Sequence, residues 1–369
     1  MTELAKHLER MNPLVADPRW GWWIIWYFYL GGIAAGAYFM ATLVEFVGDE
    51  LDRRLARRGY FLAAPLIGLC GVLLIVDLEQ PSRFWHMLFD AETLRPHVKY
   101  WSPMSVGAWA LLVFGMVSAV SFAGALAEDG RLGLGRWAEL ATRLHRGVLG
   151  RTFDLVGCIC GFFTASYTGA LLTATNQPIW SDSPWIAALF LASSATTGIA
   201  AIQLTTGRKD SGFESARAKL EQADRWALVL ELLTLVLFLA SIRAFLPELI
   251  GRWPFLCLLV GTLACGVCLP LVLGYLPQQF RKRTPAVAAL LVLLGGFVLR
   301  YSLLAAAPDM LDARHTAAPG NPGRQAPDSG SENTEIARLF SLVRERLVLH
   351  LSERSKSLGT QLLLAEWLF

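Results

Sequence analysis

Polar and apolar positions fall in long alternating blocks, not at the short periods of a soluble domain. Eight apolar blocks lie at about 20–47, 60–78, 103–127, 149–175, 184–206, 226–246, 254–276 and 285–307. Each reaches the roughly 20 residues of helix that a bilayer crossing requires. The pattern predicts an all-α, polytopic integral membrane protein with eight transmembrane helices, arranged as two packed four-helix bundles. The first block follows the polar stretch "MTELAKHLERMNPLVADPR" and is far too long for a signal-peptide core. It lacks a convincing cleavage site and is expected to remain in the mature chain.

The polar segments between the blocks differ in charge. Those at 48–59, 128–148, 207–225 and 277–284 carry "RRLARR", then Arg131, Arg136, Arg143 and Arg146, then "GRKD" with Arg217, Lys219 and Arg225, then "RKR". The alternate segments at 79–102, 176–183 and 247–253 hold only Arg83, Arg95, Lys99 and Arg252. Cytoplasmic loops are the ones enriched in Lys and Arg. The asymmetry therefore predicts N- and C-termini on the outer, periplasmic side of a bacterial inner membrane. The expected organisation is an outer segment 1–19, a membrane domain 20–307, a Pro/Gly/Ser-rich linker 308–333 and a tail 334–369. In the tail, Ile336, Leu339, Phe340, Val343, Leu347 and Leu351 recur at helical spacing. Both an amphipathic helix and a poorly ordered terminus fit that spacing.

Composition agrees with the membrane reading, at 54% hydrophobic and only 17% charged, where soluble domains carry about a quarter charged residues. A net charge of +3 gives no basis for nucleic-acid binding. Cys70, Cys158, Cys160, Cys257, Cys265 and Cys268 all fall inside apolar blocks, where thiols usually pack. "CGVC" at 265–268 has the spacing of a metal or redox pair but no second pair or His beside it, so packing is preferred and no metal site is expected. The six His, at 7, 86, 97, 145, 315 and 350, lie outside the apolar blocks, whereas a b-type haem needs axial ligands within the bundle. No cysteine cluster for iron–sulfur ligation and no phosphate-binding glycine loop is present. Redox chemistry in this chain would have to use a diffusible, lipid-soluble carrier and a partner protein.

Ionisable residues inside a membrane are costly and mark functional candidates. Toward the outer side lie Asp77 at the end of the second block, Arg300 in the last third of the eighth, and Tyr27 and Tyr29 early in the first. Tyr167, Thr173 and Thr175 lie in the outer half of the fourth block. Toward the cytoplasmic side lie Glu45, Asp154 and Glu231, candidates for a proton path. These three sit within about two turns of a boundary, so water or a basic loop residue is an equally simple partner. Arg300 can snorkel to headgroups, and Tyr27 and Tyr29 can belong to an aromatic belt with Trp20, Trp22, Trp23 and Trp26. Tyr167 sits deep among the small residues of "TASYTGA", where a buried hydroxyl needs a partner. "LGGIAAGA" at 30–37 reads first as a tight helix crossing.

Several stretches resemble, in order, the NrfD-like membrane subunits typified by polysulfide reductase. They are "WGWWIIWYFYLGGIAAGAYF" (20–39), "DLEQPSRFWHML" (77–88) with "SPMSVGAW" (102–109), and "YTGALLTATNQPIWSDSPWIAALFLASSATTG" (167–198). With the eight-crossing layout, the resemblance spans roughly residues 15 to 305. It implies a subunit that binds exchangeable menaquinone or ubiquinone near the outer face. Such a subunit exchanges electrons with a peripheral four-cluster iron–sulfur protein, itself coupled to a molybdopterin enzyme or multihaem cytochrome. Tyr167 then corresponds to a ligand of a quinone carbonyl and Asp77 to the acid that relays a proton. Tyr27, Thr175 and Arg300 are expected to border the quinone, and Arg83 and His86 to lie beneath the iron–sulfur partner. Where the family places Asn and His at the outer end of the first helix, this chain has apolar and aromatic residues, with Tyr27 at the place of the His. A phenol donates and accepts a hydrogen bond but gains no proton near neutral pH. Two other classes stay open: a structural anchor without quinone chemistry, and a secondary transporter, which would want broken helices around a midplane polar site.

Overall fold

The computed structural model describes residues 20–47, 50–78, 80–90, 92–93, 95–129, 147–175, 177–206, 214–275 and 284–317. These residues are all-helical and contain no strand, only one isolated bridge between Phe89 and Pro96. The helices are α1 (Trp22–Val47), α2 (Glu50–Asp77), α3 (Pro103–Glu128) and α4 (Val148–Thr173). They continue with α5 (Ile186–Thr205), α6 (Glu214–Ser241), α7 (Trp253–Tyr275) and α8 (Thr284–Ala317). Among the described residues, 7 helices are long and apolar enough to cross a membrane, all of these except α6. The apolar run of α6 is interrupted by Asp224, Arg225 and Glu231. The chain is an integral membrane protein.

Several helices outrun the apolar blocks that predict them. α2 starts at Glu50, so "RRLARR" is helical, not loop. Arg, Leu and Ala are strong helix formers, and Leu55 and Ala56 turn into the core. α6 likewise begins well before its apolar run, with Leu220 buried. α8 continues to Ala317, past the expected start of the linker at 308. Residues 318–369, including the tail positions with helical spacing, lie outside the described residues, as do residues 1–19. α3 begins where the sequence announces it. Ser102 caps the helix by accepting from the Ser105 amide at 3.4 Å, and Pro103 occupies the first turn.

α1 and α5 lie at the centre. In each, 72% of the most apolar stretch is buried, against 28% in α2 and α7. α1 packs on α2, α4 and α5, while α3 spans α2 and α4. Gly36 of α1 faces Gly198 of α5 so closely that a Cβ on either would overlap the other helix's backbone. "LGGIAAGA" thus makes the tight crossing its spacing predicts. In α7, Cys257–Cys268 forms a π-helix, and Gly266 within it meets Gly295 of α8 backbone to backbone. "CGVC" lies in this segment, its cysteines free and half-buried.

Polar ties fix both ends of the helix array. At one end Lys219 pairs with Asp52 at 2.7 Å, joining α6 to α2, and Arg57 pairs with Asp129 just beyond α3. Arg58 donates to the Thr205 carbonyl at 2.7 Å, placing a cation at the negative end of the α5 dipole. At the other end, Trp180 stacks on Trp20 and donates to the Leu303 carbonyl at 2.7 Å. Trp22 stacks on Tyr301.

Candidate functional site

Tyr167 and Tyr27 come together at the end of the array marked by the tryptophans. Tyr167 projects from α4 toward the start of α3. Its hydroxyl donates to the Pro103 carbonyl at 2.6 Å, and its ring stacks on Phe163 at an interplanar angle of 20°. The phenol lies directly over Gly107, one turn beyond Pro103, and a Cβ at that position would overlap it. Phe163 and Met104 beside it are exposed apolar side chains, so this edge of the site faces the surroundings of the helices. In a membrane that surrounding is lipid.

Tyr27 of α1 is 5% exposed. Its ring packs against Phe28, and its backbone carbonyl accepts from the Cys70 thiol of α2 at 3.7 Å. The Tyr27 and Tyr167 phenols are close enough to interact electrostatically. The Tyr27 hydroxyl has no hydrogen-bond partner among the described residues. The ring is buried while its oxygen is not fully enclosed, so the position leaves an open donor for a ligand. α1 to α4 each contribute one element: Tyr27, Cys70, Gly107 and Tyr167.

Asp77 follows Cys70 by two helical turns, which puts it on the same face of α2, about 10 Å further along the axis. Its side chain is exposed. The chain then enters a short 3-10 helix, Pro81–Met87, on which Arg83 and His86 are both exposed. The segment after it is folded back. His97 donates its amide to the Leu88 carbonyl at 2.8 Å, and Trp109 of α3 donates to the His97 carbonyl at 3.5 Å. Asp90 caps a turn there, accepting from the amides of Glu92 and Thr93 and from the Thr93 hydroxyl. The Thr93 amide, then the Glu92 amide and the Thr93 hydroxyl, hold the Asp90 carboxyl below the usual carboxylate range.

Arg300 belongs to a neighbouring site on another face of α1. It does not snorkel: it is 0% exposed. Its Nε donates to the Phe28 carbonyl at 3.1 Å, Nη1 to Ser193 Oγ at 3.0 Å and the Gly296 carbonyl at 2.8 Å, and Nη2 to Ser194 Oγ at 3.1 Å. Its guanidinium also stands 5.4 Å over the Phe190 ring. Gly32 makes the space, because a Cβ there would sit 2.5 Å from Nη2. Glu231 of α6 joins this stretch of α5 through the hydroxyl of Thr196, which donates to it at 2.7 Å. The hydroxyl-rich "ASSATTG" of α5 therefore bridges a buried cation and a buried acid. Only spatial assembly reveals this, since Arg300 and Glu231 are far apart in sequence.

Glu45 and Asp154 occupy a different network. Tyr60 donates to Glu45 at 2.9 Å, the Tyr38 hydroxyl bonds Ser121 at 2.7 Å, and Ser121 donates to Asp154 at 3.4 Å. The Tyr38 and Tyr60 rings meet edge to face. Asp154 and Glu231 are both 2% exposed, so neither reaches water in the way their nearness to a boundary suggested. Thr175 and Thr173 donate to carbonyls of α4, Leu172 at 2.6 Å and Ala170 at 2.8 Å. Sequence reading missed Gly107, Tyr38, Tyr60 and the α5 hydroxyls, although Tyr38 and Tyr60 are phenols inside apolar blocks just as Tyr27 is.

A family model described as "Polysulphide reductase, NrfD" matches residues 9–310. A polysulfide reductase polypeptide of Wolinella succinogenes is 28% identical over 206 residues, which cover 54% of this chain and 60% of that protein. The match thus spans about three-fifths of that relative's length. Protein NrfD of Escherichia coli is 25% identical over 314 residues, 77% of this chain and 93% of that one. A selenate reductase subunit of Mesobacillus selenatarsenatis is 31% identical over a shorter stretch of 104 residues, 28% of this chain and 22% of its own length.

Proposed function

The chain belongs to the NrfD polysulphide reductase family, and from that premise we propose that it is the quinone-interacting membrane subunit of a respiratory oxidoreductase complex. It exchanges electrons between the quinone pool of a bacterial inner membrane and a peripheral iron–sulfur subunit that docks over Arg83 and His86. A catalytic subunit, a molybdopterin enzyme or multihaem cytochrome, lies beyond that partner. The eight-crossing topology with both termini outside belongs to the same proposal.

The observation that carries the reading is the Tyr27 hydroxyl, which sits at the tip of a buried ring near Tyr167 and has no hydrogen-bond partner among the described residues. A quinone head group fits this setting, being planar, largely apolar and polar at two oxygens. When bound as quinol, it supplies two electrons and two protons. Tyr27 and Tyr167 hold the ring oxygens, and the Phe163 ring continues the stack toward the lipid-facing edge. Asp77, exposed on the Cys70 face of α2, takes up released protons toward the outer aqueous phase. The half-buried Glu45 and the buried Asp154 and Glu231 lie in two networks further along the helices and are candidates for proton movement from the opposite side. Arg300 orders the α1–α5–α8 contact that backs the Tyr27 wall.

The test is direct. The complex purified in mild detergent should retain quinone, or exchange it with added short-chain quinone, at one site weakened by Tyr27→Phe. A complex that assembles, docks its iron–sulfur partner and neither holds nor exchanges quinone would leave the structural-anchor reading in its place.

A further inference from the structure

We propose that this site discriminates by redox state, binding the hydroquinone form of its ligand in preference to the quinone, because its tyrosines are set as one donor and one obligate acceptor. This rests on the quinone reading above. A tyrosine hydroxyl has one proton to donate and lone pairs to accept with. The Tyr167 proton is committed to the Pro103 carbonyl at 2.6 Å. That carbonyl is fixed in the first turn of α3, behind Pro103 and the Ser102 cap. Toward anything else, Tyr167 can only accept.

The rest of α4 repeats the arrangement. The hydroxyls of Thr164, Ser166, Thr168 and Thr173, and that of Thr175 just beyond its end, all donate to carbonyls of α4. The helix that carries Tyr167 therefore presents lone pairs and no free hydroxyl proton from these positions. Gly107 leaves the space that the Tyr167 phenol fills, since a Cβ there would overlap the hydroxyl and the ring carbons beside it. On the α1 side the Tyr27 hydroxyl is free to donate.

A quinone offers two acceptor oxygens. It satisfies Tyr27 and sets its second carbonyl against the lone pairs of Tyr167. A hydroquinone offers two hydroxyls, one accepting from Tyr27 and the other donating to Tyr167, so both tyrosines are satisfied. The expected difference is that of one hydrogen bond, roughly three- to tenfold in affinity. The opposite arrangement, Tyr167 donating to a carbonyl as the family resemblance implies, requires the Pro103 bond to break.

The experiment measures equilibrium binding of decylubiquinol and decylubiquinone, and of a menaquinol/menaquinone analogue pair, to the full-length chain under strict anaerobiosis. The quinol of each pair should bind roughly three- to tenfold tighter. Tyr167→Phe, which removes the acceptor while keeping the ring over Gly107, should lower quinol affinity to that of the quinone and leave quinone binding unchanged. Tyr27→Phe should weaken both forms. Equal affinities, tighter quinone binding, or a Tyr167→Phe variant that loses quinone affinity would overturn the proposal while leaving the quinone site standing. Binding of neither form to folded protein would instead remove the quinone reading itself, and this inference with it.

Discussion

Arg300 and Glu231 are held one helical turn apart on α5: Ser193 accepts from the guanidinium at 3.0 Å, and Thr196, three residues on, donates to the carboxylate at 2.7 Å. Both ends of this relay are buried, at 0% and 2% exposure. Breaking a buried pair from one side leaves an uncompensated charge, at about 3–5 kcal/mol. Arg300→Met should therefore lower stability in detergent by about that amount. Glu231→Gln should cost less, because the amide oxygen still accepts from Thr196. The double variant should be more stable than the sum of the singles by about 1–2 kcal/mol, read from a double-mutant cycle of thermal or chaotrope unfolding. Strict additivity would mean that the Ser193–Thr196 turn of α5 does not couple the two.

Glu231→Gln also separates packing from proton movement. Its hydrogen bond from Thr196 survives, so the variant should assemble and bind quinone. Only its ability to exchange a proton is lost. Proton uptake per electron in proteoliposomes should fall, with electron transfer itself changed by less than about tenfold. An unchanged proton stoichiometry would assign Glu231 to the Arg300 network alone.

Tyr167→Phe removes one hydroxyl and nothing else. The lost bond to Pro103 is worth about 0.5–1.5 kcal/mol, so the complex should assemble and unfold close to normally. Quinol-driven reduction of the iron–sulfur partner should drop about tenfold. Normal turnover in that variant would remove Tyr167 from the site.

The apolar blocks announced every long helix, because a bilayer crossing is a property of one continuous stretch of sequence. Helix ends were less legible. "RRLARR" reads as a charged loop until Leu55 and Ala56 are seen to pack and Arg57 and Arg58 to reach Asp129 and the Thr205 carbonyl. Tyr167 and Tyr27 were visible as hydroxyls in apolar surroundings. Gly107 was not, because its role is to leave space for a side chain on another helix. Arg300 was visible as a buried charge, but its partners lie on α1 and α5, with Glu231 of α6 one turn away on Thr196. No spacing along one helix points to them. The proton-path candidates were found individually, yet only the structure divides them into the Glu45–Asp154 and Glu231 networks.

Asp90 orders the segment beside the expected docking face. Its carboxyl lies below its ordinary value, held mainly by the Thr93 amide. A group whose folded pKa is depressed contributes stability above its unfolded value and loses it as pH falls through the folded one. Amide exchange at Glu92 and Thr93, corrected for its intrinsic pH dependence, should stay constant from pH 8 down to about pH 4 and rise only below. Asp90→Ala should raise exchange at both amides throughout that range. It should also weaken docking of the iron–sulfur partner without touching quinone binding.

The glycines of "LGGIAAGA" give the sharpest test of the packing, because neighbours in one motif should respond in opposite ways. A Cβ on Gly31 would meet Cys70 Sγ at 3.6 Å, an ordinary contact. Alanine is favoured over glycine in a helix by about 1 kcal/mol. Gly31→Ala should therefore be neutral or mildly stabilising. At Gly32 the methyl would sit 2.5 Å from the Arg300 guanidinium and 2.8 Å from Ser194 Oγ. Displacing that charge should cost about 1–3 kcal/mol as overpacking alone, more if the network opens. At Gly36 the methyl would run into the Ser194 backbone carbonyl on α5, where no rotamer change relieves it. The α1–α5 crossing must separate, so Gly36→Ala should be the most damaging of the three, and Gly198→Ala should match it from the other side. Expression level and midpoint of unfolding in detergent should rank Gly31→Ala above Gly32→Ala above Gly36→Ala. A Gly36→Ala variant as stable as Gly31→Ala would mean that α1 and α5 do not cross where the structure places them.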